Sequence, residues 1–74
     1  MSAAEMRERL VDHLREIGGW VPTADLVAWM RSEGWARGAG ERDLRQLVAG
    51  GRVSQRRALV AINGFGALST EYRA

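Results

Sequence analysis

Asn63-Gly64 is the strongest local constraint in this chain. This dipeptide best tolerates the two positive-φ positions of a type I′ turn, so it folds its flanking segments back on each other. Counting outward from that turn pairs Ile62 with Phe65, Leu59 with Leu68, Arg56 with Glu71 and Gln55 with Tyr72. The Arg56/Glu71 pair sets opposite charges across the ladder, which supports this register. A competing register leaves a loose loop at about 58–67 and pairs only 53–57 with 68–73; the longer hairpin is preferred.

Upstream the period changes from two to 3.6. Met6, Leu10, Val11, Leu14 and Ile17 form the apolar stripe of one amphipathic helix over about 3–17, closed by Gly18-Gly19. Pro22 pushes Val21 toward extended geometry, and Thr23 is placed to cap a second helix with Asp25 in its first turn. Leu26, Val27, Trp29 and Met30 supply that helix's apolar face, which should stop near Gly34. After a glycine-punctuated connection over 34–40, Leu44, Leu47 and Val48 mark a third helix from about 41 to 49, closed by Gly50-Gly51. The expected core is Leu10, Leu14, Leu26, Met30, Leu44, Leu47 and Val48 under one side of the hairpin. The second and third helices have the outline of a helix-turn-helix.

Seventy-four residues leave room for one domain, 1–74. The absence of cysteine removes disulfides, thiolate metal sites and a thiol nucleophile, and points to a cytoplasmic setting. No apolar run approaches the roughly 18 residues of a membrane span, and residues 1–5 lack a signal peptide's basic and apolar regions. The expectation is of no membrane partner. All 11 basic side chains are Arg, set against 9 acids for a net +2. Residues 1–36 carry four Arg and six acids, whereas 37–74 carry seven Arg and three acids, so the second half is the basic one.

Gly19-Trp20-Val21-Pro22-Thr23-Ala24-Asp25-Leu26 looks like a short strand running into a second helix. Arg42-Asp43-Leu44-Arg45-Gln46-Leu47-Val48-Ala49-Gly50-Gly51-Arg52-Val53 looks like a recognition helix ending in glycine and entering a wing, and Thr70-Glu71-Tyr72-Arg73 like a closing strand. In these segments the chain resembles the winged helix-turn-helix family over nearly its whole length. The resemblance implies a mainly α fold with a C-terminal β-hairpin, in the order α1-β1-α2-α3-β2-β3. It also implies double-stranded DNA as partner, with the third helix in the major groove and the wing on phosphate or minor groove. Arg42 and Arg45 can give bidentate hydrogen bonds to guanine, and Gln46 to adenine. Arg37, Arg52, Arg56 and Arg57 can reach phosphates, which positions without reading sequence. Arg42 in a helix's first turn opposes the dipole by a few tenths to about 1 kcal/mol, a placement that a nearby anion would relieve. The implied role is a small transcriptional regulator, or a phage or mobile-element accessory factor of replication or recombination.

Each of these residues also has a plainer explanation. Glu41 and Arg45 are four apart in the favourable order for a solvated helix pair. Arg56 can pair with Glu71 across the ladder, and an all-Arg basic set can reflect codon bias. Trp20 and Trp35 serve as core or lid residues more often than as ligand stackers. His13, the only histidine, has Asp12 about 100° away around the helix, so the two form no catalytic dyad, and no ligand spacing completes a metal site. Gly34, Gly38 and Gly40 follow a helix and lack the Lys-Ser/Thr of a phosphate loop. Ser54, Ser69 and Thr70 have no base in an interpretable motif. No enzyme activity, cofactor or metal is expected.

Ala58 to Ile62, with Phe65, makes the wing's tip apolar where a phosphate-contacting wing would carry basic and polar groups. Either Leu59 and Leu68 fold back over the core and leave Val60 and Ile62 exposed, or the tip is a sticky edge. In the second case Val60, Ile62 and Phe65 would contact a second copy or another protein. A winged helix used as a protein-interaction module through the hairpin 58–65 is therefore the alternative to DNA binding.

Overall fold

The computed structural model describes the backbone of residues 2–62 and 64–74 and the side chains of 2–59 and 64–74. The side chains of Val60 and Ile62, and Asn63 of the expected turn, lie outside the described residues.

Helix α1 spans Ala3–Ile17. Ser2 caps it by accepting the Glu5 N–H at 3.2 Å, and Gly18, at φ 74°, ends it by donating to the Leu14 carbonyl at 3.1 Å. Its stripe buries Leu10, Val11 and Leu14 completely, each worth about 1.5–3 kcal/mol relative to an exposed side chain. Strand β1 is Val21–Pro22, and α2, Thr23–Ser32, follows without a loop. Thr23 does not take the expected cap position of α2. Pro22 occupies the cap position, and the Thr23 hydroxyl instead donates to the Thr70 carbonyl at 2.6 Å, tying α2 to the last strand.

Helix α2 stops two residues before Gly34, and the chain turns so that Trp35 N–H reaches the Met30 carbonyl at 3.0 Å. That turn drives the Trp35 ring into the core. Helix α3 spans Ala39–Ala49, starting two residues earlier than the apolar period indicates. Gly38 precedes it at φ 84°, and Gly40 sits inside its first turn because a Cβ there would lie 2.6 Å from Met30 Sδ. Gly40 is therefore a packing glycine. A spacing argument based on large apolar residues passes over it.

After α3, Arg52 and Val53 N–H groups bond to the Leu47 carbonyl, and Val53 enters the core. Strands β2, Ser54–Ile62, and β3, Phe65–Arg73, pair antiparallel with Gln55↔Tyr72, Arg56↔Glu71, Leu59↔Leu68 and Ile62↔Phe65. This is the long register counted from Asn63-Gly64; the shorter alternative does not form. Strand β1 joins β3 through Val21↔Tyr72 and Pro22↔Glu71, giving sheet order β1-β3-β2. The architecture is three helices with a three-stranded antiparallel sheet, a mixed α and β fold in the expected element order rather than a mainly α one.

The core gathers Leu10, Val11, Leu14, Val21, Leu26, Met30, Trp35, Leu44, Leu47 and Val53, with Val48 only half-buried against it. Among the described residues the base of the hairpin meets this body, through β1, the Thr23–Thr70 hydrogen bond and Tyr72. Leu59 and Leu68 do not fold over the core: they are 74% and 66% exposed. The hairpin runs past the helices, and the molecule measures 42 × 23 × 21 Å. Among the described residues no helix is long and apolar enough to cross a membrane.

Candidate nucleic-acid interface

Helix α3 turns Gly40, Leu44 and Leu47 inward, which leaves Arg42, Arg45, Gln46 and Ala49 exposed on its outer face. Because the helix begins at Ala39, Arg42 is its fourth residue, and Glu41 supplies a favourable acid in the first turn. The opposition of Arg42 to the dipole is accordingly weaker than its expected position implied. Among the described residues, Arg37, Arg42, Arg45 and Arg57 are all exposed and form no ion pair. The Glu41–Arg45 helix pair does not form.

Alternation along the sheet sets Gln55 and Arg57 of β2 on one face with Thr70 and Tyr72 of β3. That face opens toward α3. Arg45, Gln55, Arg56, Arg57, Thr70 and Tyr72 line an open cleft of about 520 Å³ between the helix and the hairpin base. The cleft brings one expected base-reading side chain, Arg45, together with one expected phosphate contact whose side chain shares its face, Arg57. Gln55, Thr70 and Tyr72 were missed as site residues, although the Gln55↔Tyr72 register pair already placed two of them together.

Two expected phosphate contacts, Arg56 and Arg52, are engaged elsewhere. Arg56 points to the opposite face of the sheet, where Nε donates to Glu71 Oε1 at 2.9 Å and the guanidinium lies 4.3 Å from the centroid of the Trp20 ring. Arg73 adds a second guanidinium at 5.9 Å from the same ring. Trp20 is thus a half-buried platform under two arginines, and Trp35 is core. Arg52 grips Glu8 of α1 through both Nη atoms, the Nη2–Oε2 bond measuring 3.0 Å. The hydrogen bond from Arg52, together with its charge, holds the Glu8 carboxyl below its ordinary pKa, and the same bond raises that of Arg52.

Gln46 Oε1 accepts from Arg7 Nη1 at 3.4 Å, a long bond that a bidentate adenine contact would have to displace. Arg7 also lies 3.6 Å from Asp43, which in turn accepts the Trp35 indole N–H at 3.1 Å. One edge of the α3 face is therefore braced against α1, and the edge toward the hairpin is open. His13 lies flat on Trp29, ring centroids 3.9 Å apart and planes 7° from parallel, while Asp12 turns to Arg15 at 3.8 Å. Among the described residues, no three of His, Asp and Glu gather as a metal site.

Comparison of the chain with protein-family models, with curated proteins and with solved structures gives no match.

Proposed function

We propose that this chain is a winged-helix protein that binds double-stranded DNA, with α3 in the major groove and the β2–β3 hairpin as a wing beside it. The observation that carries this reading is the contrast among its arginines. Among the described residues, Arg42 and Arg45 on α3, and Arg57 across the cleft, face solvent without a carboxylate, as do Arg31 and Arg37 to either side of the α2–α3 connection, whereas Arg7, Arg9, Arg15, Arg52 and Arg56 each lie on one. Leaving guanidiniums unpaired on one connected face suits a polyanion. Arg42 and Arg45 would read base edges, and Arg57 and Arg37 would hold phosphates. Arg52 and Arg56 would serve the interface indirectly, by fixing α1 against the start of the wing and Trp20 against the sheet. The role is that of a small regulator of transcription or an accessory factor acting on DNA, without catalysis of its own.

Titration of duplex DNA at two salt concentrations tests this. Binding should weaken steeply with salt, and Arg42→Ala or Arg45→Ala should each weaken it by about 10- to 100-fold. Salt-independent binding, or none at tens of micromolar, rejects it.

A second reading is favoured by the exposure of Leu59, Phe65 and Leu68 on a hairpin whose outer strand, β2, is a sheet edge. Here the wing would pair with another protein or a second copy. Sedimentation would then show association that Phe65→Ser removes.

A further inference from the structure

We propose that the distal half of the hairpin is an apolar wedge for the minor groove of duplex DNA, led by Phe65 and followed by the Leu59/Leu68 pair. It would partly unstack a base step beside the segment read by α3 and bend the duplex there. The inference rests on the DNA-binding reading and adds a mechanical act to it.

Two features meet on the hairpin. Phe65, the first residue of β3, is 77% exposed, and Leu59 and Leu68, three pairs from the turn, are 74% and 66% exposed. The Leu59/Leu68 pair is also continuous with the unpaired cations, and Phe65, by the same alternation, stands on the other face, so the tip is apolar on both sides. Arg57 lies two residues from Leu59 on the same face of β2, and that face opens into the cleft shared with Arg45. Between Arg57 and Glu71 the chain carries no charged residue at all. The hairpin is therefore cationic at its root and uncharged beyond it, with Leu59, Phe65 and Leu68 exposed there.

Phosphate contact alone leaves this tip unexplained. Duplex DNA offers both halves of the match within one turn, phosphates along the groove wall and apolar base faces once a step is opened. A tip without charge enters that stack with no ionic hydration to lose. The reach is also adequate. From the Arg57↔Thr70 pair to the Ile62↔Phe65 pair is five residue steps, about 17 Å of strand, against a minor groove about 7.5 Å deep. Arg57 can stay at the phosphates while Phe65 meets the bases.

The test uses a duplex of about 25 base pairs rich in TA steps, which unstack most readily, with a donor and an acceptor dye at its ends. Anisotropy reports binding and energy transfer reports bending. The native protein should bind and bend the duplex by about 20–90°. Phe65→Ser, a change at an exposed position, should still bind and lose most of the bend, and Leu59→Ser should lose part of it. A duplex that is bound but straight, or bent equally by Phe65→Ser, overturns the wedge and leaves the DNA reading standing. Failure of the native protein to bind DNA overturns both. A protein dimer in sedimentation that Phe65→Ser dissolves assigns the tip to a second copy and overturns the wedge.

Discussion

The arginines around α1 and those on the outside of α3 and β2 share one chemistry and meet opposite fates. Arg7, Arg9, Arg15 and Arg52 end on Asp43, Glu33, Asp12 and Glu8, so that side of the molecule is a set of clamps between α1 and its neighbours. Among the described residues, Arg37, Arg42, Arg45 and Arg57 end on no carboxylate. The net charge of +2 hides this division. Pairing consumes the cations beside the acidic helix, and Arg56 on the sheet, and leaves Arg42, Arg45 and Arg57 available to a partner.

The largest expected effect that could break this contrast is on DNA affinity. Replacing Arg42 and Arg45 together by Ala should cost more than the roughly 10- to 100-fold of either change, while the thermal midpoint barely moves, since exposed unpaired positions usually contribute within about 0.5 kcal/mol. Arg9→Ala on the clamped side should do the reverse, lowering the midpoint slightly with affinity unchanged. Equal losses of affinity from both would erase the distinction.

Next is the seating of α3 itself. Gly40→Val should destabilise the fold by about 1–3 kcal/mol, because the added carbons collide with a Met30 side chain that is only 2% exposed. Thermal unfolding measures this, and an unchanged midpoint would show that the close approach does not position the helix. A smaller effect belongs to Arg57→Ala, which should reduce the slope of log affinity against log salt by about one unit without changing sequence preference. An unaltered slope would remove Arg57 from the phosphate contacts.

The smallest effect separates the clamps from the open cations by pH. Arg52 lowers the Glu8 pKa in the folded state. The stability from this pair is therefore present above the carboxyl's unfolded value and fades as pH falls through the folded one. Glu8→Gln should melt slightly earlier than the native protein near neutrality and converge with it in acid. Parallel melting curves across that range would show that the exposed pair contributes nothing.

Much of the fold was legible because its signals are local. The α1 stripe with Gly18 behind it, and the register counted outward from residues 63 and 64, need only neighbours within a few positions. The misplaced details all depend on contacts between one element and another rather than within an element. The Thr23 hydroxyl reached Thr70, 47 residues away, in place of its own helix N-terminus. Arg52 was expected at phosphate and met Glu8, 44 residues away. Gly40 resembled loop punctuation until Met30 and Trp35 closed over it. On the candidate site, the α3 periodicity correctly indicated that Arg42, Arg45 and Gln46 face outward. It carried no information about which of them a carboxylate or a second arginine would hold.

The sequence by itself determined the element order, the hairpin register and the outward face of α3, because helix and strand periods and turn stereochemistry act over a few residues. Only the tertiary structure decided that β1 closes a three-stranded sheet, that the Leu59/Leu68 pair stays in solvent, and which arginines remain unpaired. Those outcomes depend on how far the hairpin extends past the core and on which charges the packed helices bring within reach. Both are distances in space that chain spacing does not encode.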